Sequence, residues 1–259
     1  MRAVGVHADV IVVTSQIWQT TCTVVRSGDE AFVIDSPVLP GELEALPALV
    51  ERAEFPVAGL LATHADWDHL LGRLAFPGDA LGVAETTAAR LAAEPGAAQR
   101  ELRTWDEQHY VPRPRPLSLG QVQALPVPGH CGIGERELEL HPADGHTADG
   151  MAVWVGWAEV LCCGDYVSPV EIPVLSGGGS LDGYEATLAR LRPFVEAADT
   201  VVPGHGAPLD RDRALAILDE DAAYLDVLRR RDGDAPLPPG RDTAEQRRIH
   251  RENARALTT

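Results

Sequence analysis

The sequence predicts a layered α/β protein, with sheets inside and helices outside. Two patterns predict it. Short apolar runs of strand length recur along the chain and end in Gly, Pro or polar clusters, as strands that meet loops do. Between them lie segments with apolar residues at helical spacing. The order therefore reads strands, helix, strand, helices, strands, helix, strand, helices. With 259 residues and 45% hydrophobic residues, the chain can bury one large core or two small ones.

Residues 9–14, 20–26 and 30–35 are strand-like, and Ser27-Gly28-Asp29 makes the last two a hairpin. Residues 40–54 carry Leu43, Leu46, Leu49 and Val50 on one helical face, an amphipathic helix despite Pro47. Residues 57–62 form a short buried strand leading into a loop over residues 63–72. A further short strand is expected over 79–84, then polar-faced helices over 85–93 and 95–108. Residues 111–116 alternate proline with other residues and read as extended and stiff. Strands resume at 121–127, 137–141, 151–155 and 159–163, with Gly156-Trp157-Ala158 between the last two. Three consecutive glycines make residues 176–180 a flexible loop. A helix over 181–195 and a strand over 200–202 follow. Two helices, about 211–231 and 241–257, close the chain around a Pro/Gly-rich loop at 232–240. No internal linker or short repeat divides it. We expect a main domain over 1–210, with 211–259 as a helical extension packed on it.

The formal charge of −17 disfavours nucleic-acid partners, which draw on clustered positive charge. Lysine is absent, and with the abundance of Ala, Gly and Pro this suggests a bacterial genome of high GC content. Cys22, Cys131, Cys162 and Cys163 contain no Cys-x-x-Cys, and adjacent cysteines in a strand point to opposite faces. The pattern reads as reduced thiols in a cytoplasmic protein. There is no signal-peptide pattern and no apolar run of membrane length, so no membrane partner is expected.

The loop over 63–72 packs His64, Asp66, Asp68 and His69 into six positions after a strand. Imidazole and carboxylate are ligands for first-row divalent metals, and several within one turn can face a common point. Three more strand-end loops carry such residues beside glycine: Gly145-His146, Gly164-Asp165 and Gly204-His205-Gly206. Glycine lets backbone pass close to a crowded site, and loops at strand ends commonly build active sites.

Over residues 10 to 206 this order resembles the metallo-β-lactamase superfamily. Its signature, His-x-His-x-Asp-His followed by a single His, a single Asp and a last His, is matched by His64, Asp68, His69, His146, Asp165 and His205. The hairpin ending in Asp35 also looks like the family's opening. The resemblance implies an αββα four-layer sandwich and a dinuclear metal centre, with about two Zn2+ per chain. It implies that His64 and His146 bind the first metal, that Asp68, His69 and His205 bind the second, and that Asp165 bridges them. A hydroxide between the metals would then attack a carbonyl or phosphoryl centre. Asp68 could orient it, and Tyr166 could donate to an oxyanion; these two are the candidate catalytic residues.

One position departs from the pattern: Asp66 stands where the family has its second His. Asp can still ligate, and His64, Asp66 and His146 then form a set that suits non-haem iron. The expected function is a metallo-hydrolase of small esters, thioesters, lactones or related bonds, with a small-molecule substrate and a possible homodimer. The alternatives are an iron-dependent oxidoreductase of the same fold, with iron or manganese in place of zinc, and a non-catalytic metal-binding protein. The basic-patch and flavin-domain signals of other branches are absent from the sequence given.

Other residues have two readings each. Trp67 is a pocket wall or packing, and Trp18 a substrate-loop residue or a partly buried one. Trp105, His109 and Tyr110 form a lid or a helix–helix contact. His130 and Cys131 read as part of a turn, His7 and His141 as incidental, and His250 as packing or a reach toward the site.

Overall fold

The computed structural model describes residues 1–120, 122–230 and 237–257. Seven strands form one sheet in chain order: β1 (Arg2–His7), β2 (Val10–Thr14), β3 (Thr21–Ser27), β4 (Glu30–Asp35), β5 (Val57–Leu61), β6 (Leu81–Ala84) and β7 (Gln123–Leu125). The first four pair antiparallel and the rest parallel. Parallel neighbours need crossovers, supplied by α1 (Pro40–Arg52), α2 (Gly72–Ala75), α3 (Glu85–Ala93) and α4 (Ala97–His109). The second sheet contains β8 (Gly129–Ile133), β9 (Arg136–Pro142), β10 (Met151–Val155), β11 (Val160–Cys162) and β12 (Thr200–Val202), in the order β12-β11-β10-β9-β8. Here α5 (Leu181–Ala197) is the crossover to β12, which runs parallel to β11. The chain closes with α6 (Arg211–Arg229) and α7 (Ala244–Ala256).

The four layers follow from the period-two alternation of strand side chains. In β4, Phe32 and Ile34 face the space between the sheets, while Ala31 and Val33 face α1 and α4. In β10, Met151, Val153 and Val155 turn inward, while Ala152 and Trp154 turn toward α5 and α6. Leu43, Leu46 and Val50 of α1 and Leu102 and Trp105 of α4 cover the first sheet. Leu188, Leu191, Ile217, Leu225 and Ile249 cover the second. This is the expected αββα sandwich. Cys162 faces the inner layer and Cys163 the outer one, and all four cysteines are free.

Two strands lie outside the expected pattern. β1 pairs only with β2 at the sheet edge, and its residues are mostly exposed, so it lacks an apolar face to betray it. Residues 129–133, expected as a turn around His130 and Cys131, are instead β8, paired along their length with β9. The partner strand supplies the hydrogen bonds that Gly129 and Gly132 alone do not announce. His130 is exposed and sits by Glu137. The expected strand over 121–127 shrinks to β7, with Gln121 outside the described residues. Residues 232–236 of the expected Pro/Gly-rich loop also lie outside them. α1 runs through Pro47 because burial of Leu43, Leu46 and Val50 outweighs one lost backbone bond. No helix among the described residues is long and apolar enough to cross a membrane.

Candidate metal centre

β5, β9, β11 and β12 lead at their C-terminal ends into the loops that carry His64, His146, Asp165 and His205. After β5 a single 3-10 turn, Trp67–His69, brings the His69 ring beside that of His64 and Asp68 beside His69. The close approach of these loops requires glycine. A Cβ on Gly204 would collide with the Asp165 carboxylate, and Gly164 has φ +57° against Thr63.

Each of the four histidines is anchored through Nδ1. His146 donates to the Val174 carbonyl at 2.8 Å and His69 to Asp35 Oδ2 at 3.0 Å. His64 Nδ1 lies 3.0 Å from Thr63 Oγ1, whose own hydrogen goes to Asp35 Oδ2 at 2.9 Å. His205 Nδ1 meets the Trp18 carbonyl at 3.2 Å, with Thr20 Oγ1 at 3.3 Å. An acceptor at Nδ1 fixes the tautomer and leaves Nε2 free as a ligand.

All four Nε2 atoms converge on Asp165. His69 lies 3.1 Å from its Oδ1, and His64, His146 and His205 lie 3.7, 3.3 and 3.4 Å from its Oδ2. Asp66 Oδ2 completes one group, 3.8 Å from His64 and 3.4 Å from His146. Asp68 Oδ2 completes the other, 3.6 Å from His69 and 3.5 Å from His205. Two donor groups, His64/Asp66/His146 and Asp68/His69/His205, thus flank one carboxylate.

The donors fit metal ions. Nε2 of His64, His69 and His146 and Oδ1 of Asp165 are buried without a hydrogen-bond partner. Buried polar atoms are ordinarily satisfied, and a cation in each of the two groups would satisfy them.

The charges are strongly coupled. Burial alone would lower His146, but the Asp66 carboxylate 3.4 Å away and the Asp165 charge lift it to about 9. Burial likewise opposes, and Glu171 and Asp165 outweigh it, in raising His205 to about 10. His69 rises well above its ordinary value as Asp165, Asp68 and Asp35 overcome burial. His64 falls, through burial and the neighbouring His69. Burial pushes Asp165 upward, but the surrounding imidazoles hold it well below the usual carboxylate range.

Asp66 turns inward, and its outer oxygen has its own partner. Arg90 on α3 donates to Asp66 Oδ1 at 2.9 Å and to Asp149 Oδ1 at 2.8 Å, while Asp149 Oδ2 accepts from the Ala65 amide at 3.0 Å. Nothing in the sequence marks Arg90 or Asp149 for this work. Their only signal was an arginine and an aspartate near ligand loops, 24 and 84 residues from their partners.

Tyr166, expected as an oxyanion donor, is buried, and its hydroxyl is committed to backbone. It accepts from the His146 amide at 2.9 Å and donates to the Ala143 carbonyl at 3.3 Å, so it supports the His146 loop. Trp18, Trp67 and Trp105 meet edge-on or tilted with ring centroids 5.4 to 5.6 Å apart, and His109 stacks on Trp105 at 4.6 Å. Trp18 is 43% exposed and lies beside His205 through its carbonyl; Tyr110 points to solvent at 92%. His250 is buried against the Tyr224 hydroxyl at 3.1 Å, a packing position.

The comparisons agree with this geometry. Residues 16–205 match the family model described as the metallo-beta-lactamase superfamily. A metallo-beta-lactamase family protein from Thermus thermophilus superposes with a TM-score of 0.68 at 18% identity, covering 90% of this chain and 85% of that one. A metallo-beta-lactamase from Pontibacter korlensis gives 0.63 at 21%, covering 84% and 98%. The DIM-1 metallo-beta-lactamase gives 0.62 at 19%, covering 87% and 97%. At these identities the superpositions speak for the fold, and the matched segment for the family: the chain belongs to the metallo-β-lactamase superfamily.

Proposed function

We propose that the chain is a dinuclear metallo-hydrolase acting on a small ester, thioester, lactone or related bond. Superfamily membership supports metal-dependent hydrolysis in general. The finer reading rests on one observation: four imidazoles with anchored Nδ1 atoms present Nε2 to a shared carboxylate, in two groups. His64, Asp66 and His146 would hold the first divalent ion, and Asp68, His69 and His205 the second, with Asp165 between them. Zinc is the expected ion. When bound, the metals lower the pKa of water toward about 7 and polarise the scissile group.

The chain's own residues do the rest. Asp68, beside His69 and His205, can hold the second metal through Oδ2 and orient a water through its other carboxylate oxygen. Arg90 fixes Asp66 by its outer oxygen, so that Oδ2 keeps facing His64 and His146. Asp66, Asp68 and Asp165 together cancel three of the four positive charges that two divalent ions bring. That leaves little charge to attract an anionic group, so we read the substrate as neutral at the scissile bond. The exposed face of Trp18, backed by Trp67 and Trp105, offers an apolar wall for the rest of it. We read residues 1–210 as the catalytic domain and 211–259 as its helical extension.

The test is a panel of neutral esters, thioesters and lactones against the wild type and Asp165→Ala. Turnover lost in the variant supports the reading, and turnover retained overturns it. Asp66 also supports a second reading, since two histidines and one carboxylate suit iron. Iron in protein purified aerobically, with oxygen consumed on a thiol or persulfide, would favour that oxidoreductase. Iron-free protein that consumes no oxygen removes it.

A further inference from the structure

We propose that Glu171 is an additional ligand of the second metal, delivered by a loop that the C-terminal segment clamps in place. The proposal rests on the two-metal reading above and extends it. A carboxylate oxygen of Glu171, one of Asp165 and a ring nitrogen of His205 lie within 4.8 Å of one another. Ligands about 2.1 Å from a common ion stand roughly 3 to 4 Å apart, so the three reach one ion with little adjustment. Asp165 Oδ1 is buried with no hydrogen-bond partner. Two carboxylates brought this close need a positive charge among them, which protonated His205 supplies without metal and a metal ion would supply when bound.

The main chain around Glu171 is held by its neighbour Ser168 and by residues far away in sequence. Ser168 Oγ accepts from the Glu171 amide at 3.0 Å and donates to the His205 carbonyl at 2.8 Å. Arg241, fully buried, donates to the carbonyls of Glu171 at 2.9 Å and Ser168 at 3.3 Å, and is itself neutralised by Asp221 and Glu220. Gln246 on α7 accepts from the Ile172 amide at 2.8 Å. Asn253 accepts from the Leu175 amide at 3.0 Å and donates to the Pro173 carbonyl at 2.7 Å. The residue between those two, Val174, is the one whose carbonyl orients His146. One clamped segment thus serves both halves of the centre: Val174 fixes a histidine of the first group, and Glu171 faces a histidine of the second. With Asp68, His69, His205 and Asp165, Glu171 raises the donors available there beyond the four of a tetrahedral zinc site. That set favours five or six coordination, with more oxygen than nitrogen.

The experiment titrates Co2+ into protein stripped by chelator, comparing wild type, Glu171→Gln and Glu171→Ala, and reads both affinity and visible absorption. Loss of an outer-shell partner costs about 10- to 100-fold in metal affinity, so loss of a ligand should weaken one of the two ions by at least about tenfold. The other ion should keep its affinity. The cobalt absorption should intensify as the coordination number falls. The metal-free melting temperature should fall modestly in both variants, because Glu171 helps to hold His205 charged; a cooperative melt and a wild-type far-ultraviolet circular dichroism spectrum separate ligand loss from misfolding. Variants that bind both ions with wild-type affinity and spectrum overturn the proposal, even if turnover falls. Wild-type protein that binds no cobalt overturns the two-metal reading itself, a result read before any variant is compared.

Discussion

Metal loading should displace protons from this site, and the number follows from the geometry. Without metal, His146 and His205 have pKa values of about 9 and 10, and His69 is also raised well above its ordinary value. All three therefore carry a proton near neutral pH, while His64, lowered, does not. Each charged imidazole stands against Asp66, Asp68 or Asp165, so in the metal-free protein protons hold the carboxylates together. Ligation requires neutral imidazole. Binding of two ions near neutral pH should release about three protons from the histidines, and about one more if a bound water ionises. Apparent affinity should rise with pH up to about 9, steeply because each displaced proton contributes about tenfold per pH unit. The sign for stability is opposite. Raised pKa values stabilise the metal-free fold fully below about 6.5, and that stabilisation fades as pH rises through 9 and 10. For His146 alone, a rise from 6.5 to about 9 is worth about 3 kcal/mol. Isothermal titration with zinc in two buffers of different ionisation enthalpy counts the protons directly. Release of fewer than about one proton, or an affinity that does not change with pH, would mean that the histidines are already neutral without metal.

Four other outcomes follow. Asp35→Asn keeps a residue that tolerates the φ of +58° at this position, but it sets an amide among donors from the Thr63 amide, the Thr63 hydroxyl and His69. It should cost about 2 kcal/mol or more in chemical denaturation and weaken the second metal; wild-type stability would show that Asp35 does not anchor His69. Arg90→Met should leave Asp66 without its outer partner and lower first-metal affinity by about tenfold or more, while the same change in an Asp66→His background should do much less. Equal effects in both backgrounds would mean that Arg90 acts elsewhere. Tyr166→Phe should retain hydrolysis at reduced metal affinity, because its hydroxyl serves the His146 loop; a collapse of kcat with full metal content would restore it as a catalytic group. Trp18→Ala should raise KM for substrates with large apolar groups more than it lowers kcat, and an unchanged KM across the panel would remove the aromatic wall.

The candidate ligand loops are legible because their information is local. His64, Asp66, Asp68 and His69 fall within one turn after a strand, and His146, Asp165 and His205 each sit beside the glycine their crossing requires. The αββα layers were legible for the same reason: strands such as β4 and β10 alternate their apolar residues between two cores. What supports the site was not legible. Arg90 reaches Asp66 across 24 residues, and Asn253 reaches Leu175 across 78. Such contacts exist only once the sheets have packed, and nothing in the spacing of an arginine or an asparagine announces them. Tyr166 misled because its neighbour Asp165 faces the centre, whereas its own ring turns to Tyr184 in the outer core. Edge strands β1 and β8 escaped because each pairs on one side only and carries no continuous apolar face.

Metal content per chain, measured by inductively coupled plasma mass spectrometry on protein purified without added metal, decides whether the centre is dinuclear. The geometry calls for about two divalent ions per chain, zinc foremost, falling to about one or fewer in Asp165→Ala. One ion or fewer in the wild type would contradict a dinuclear centre and make Asp66 a spectator held by Arg90.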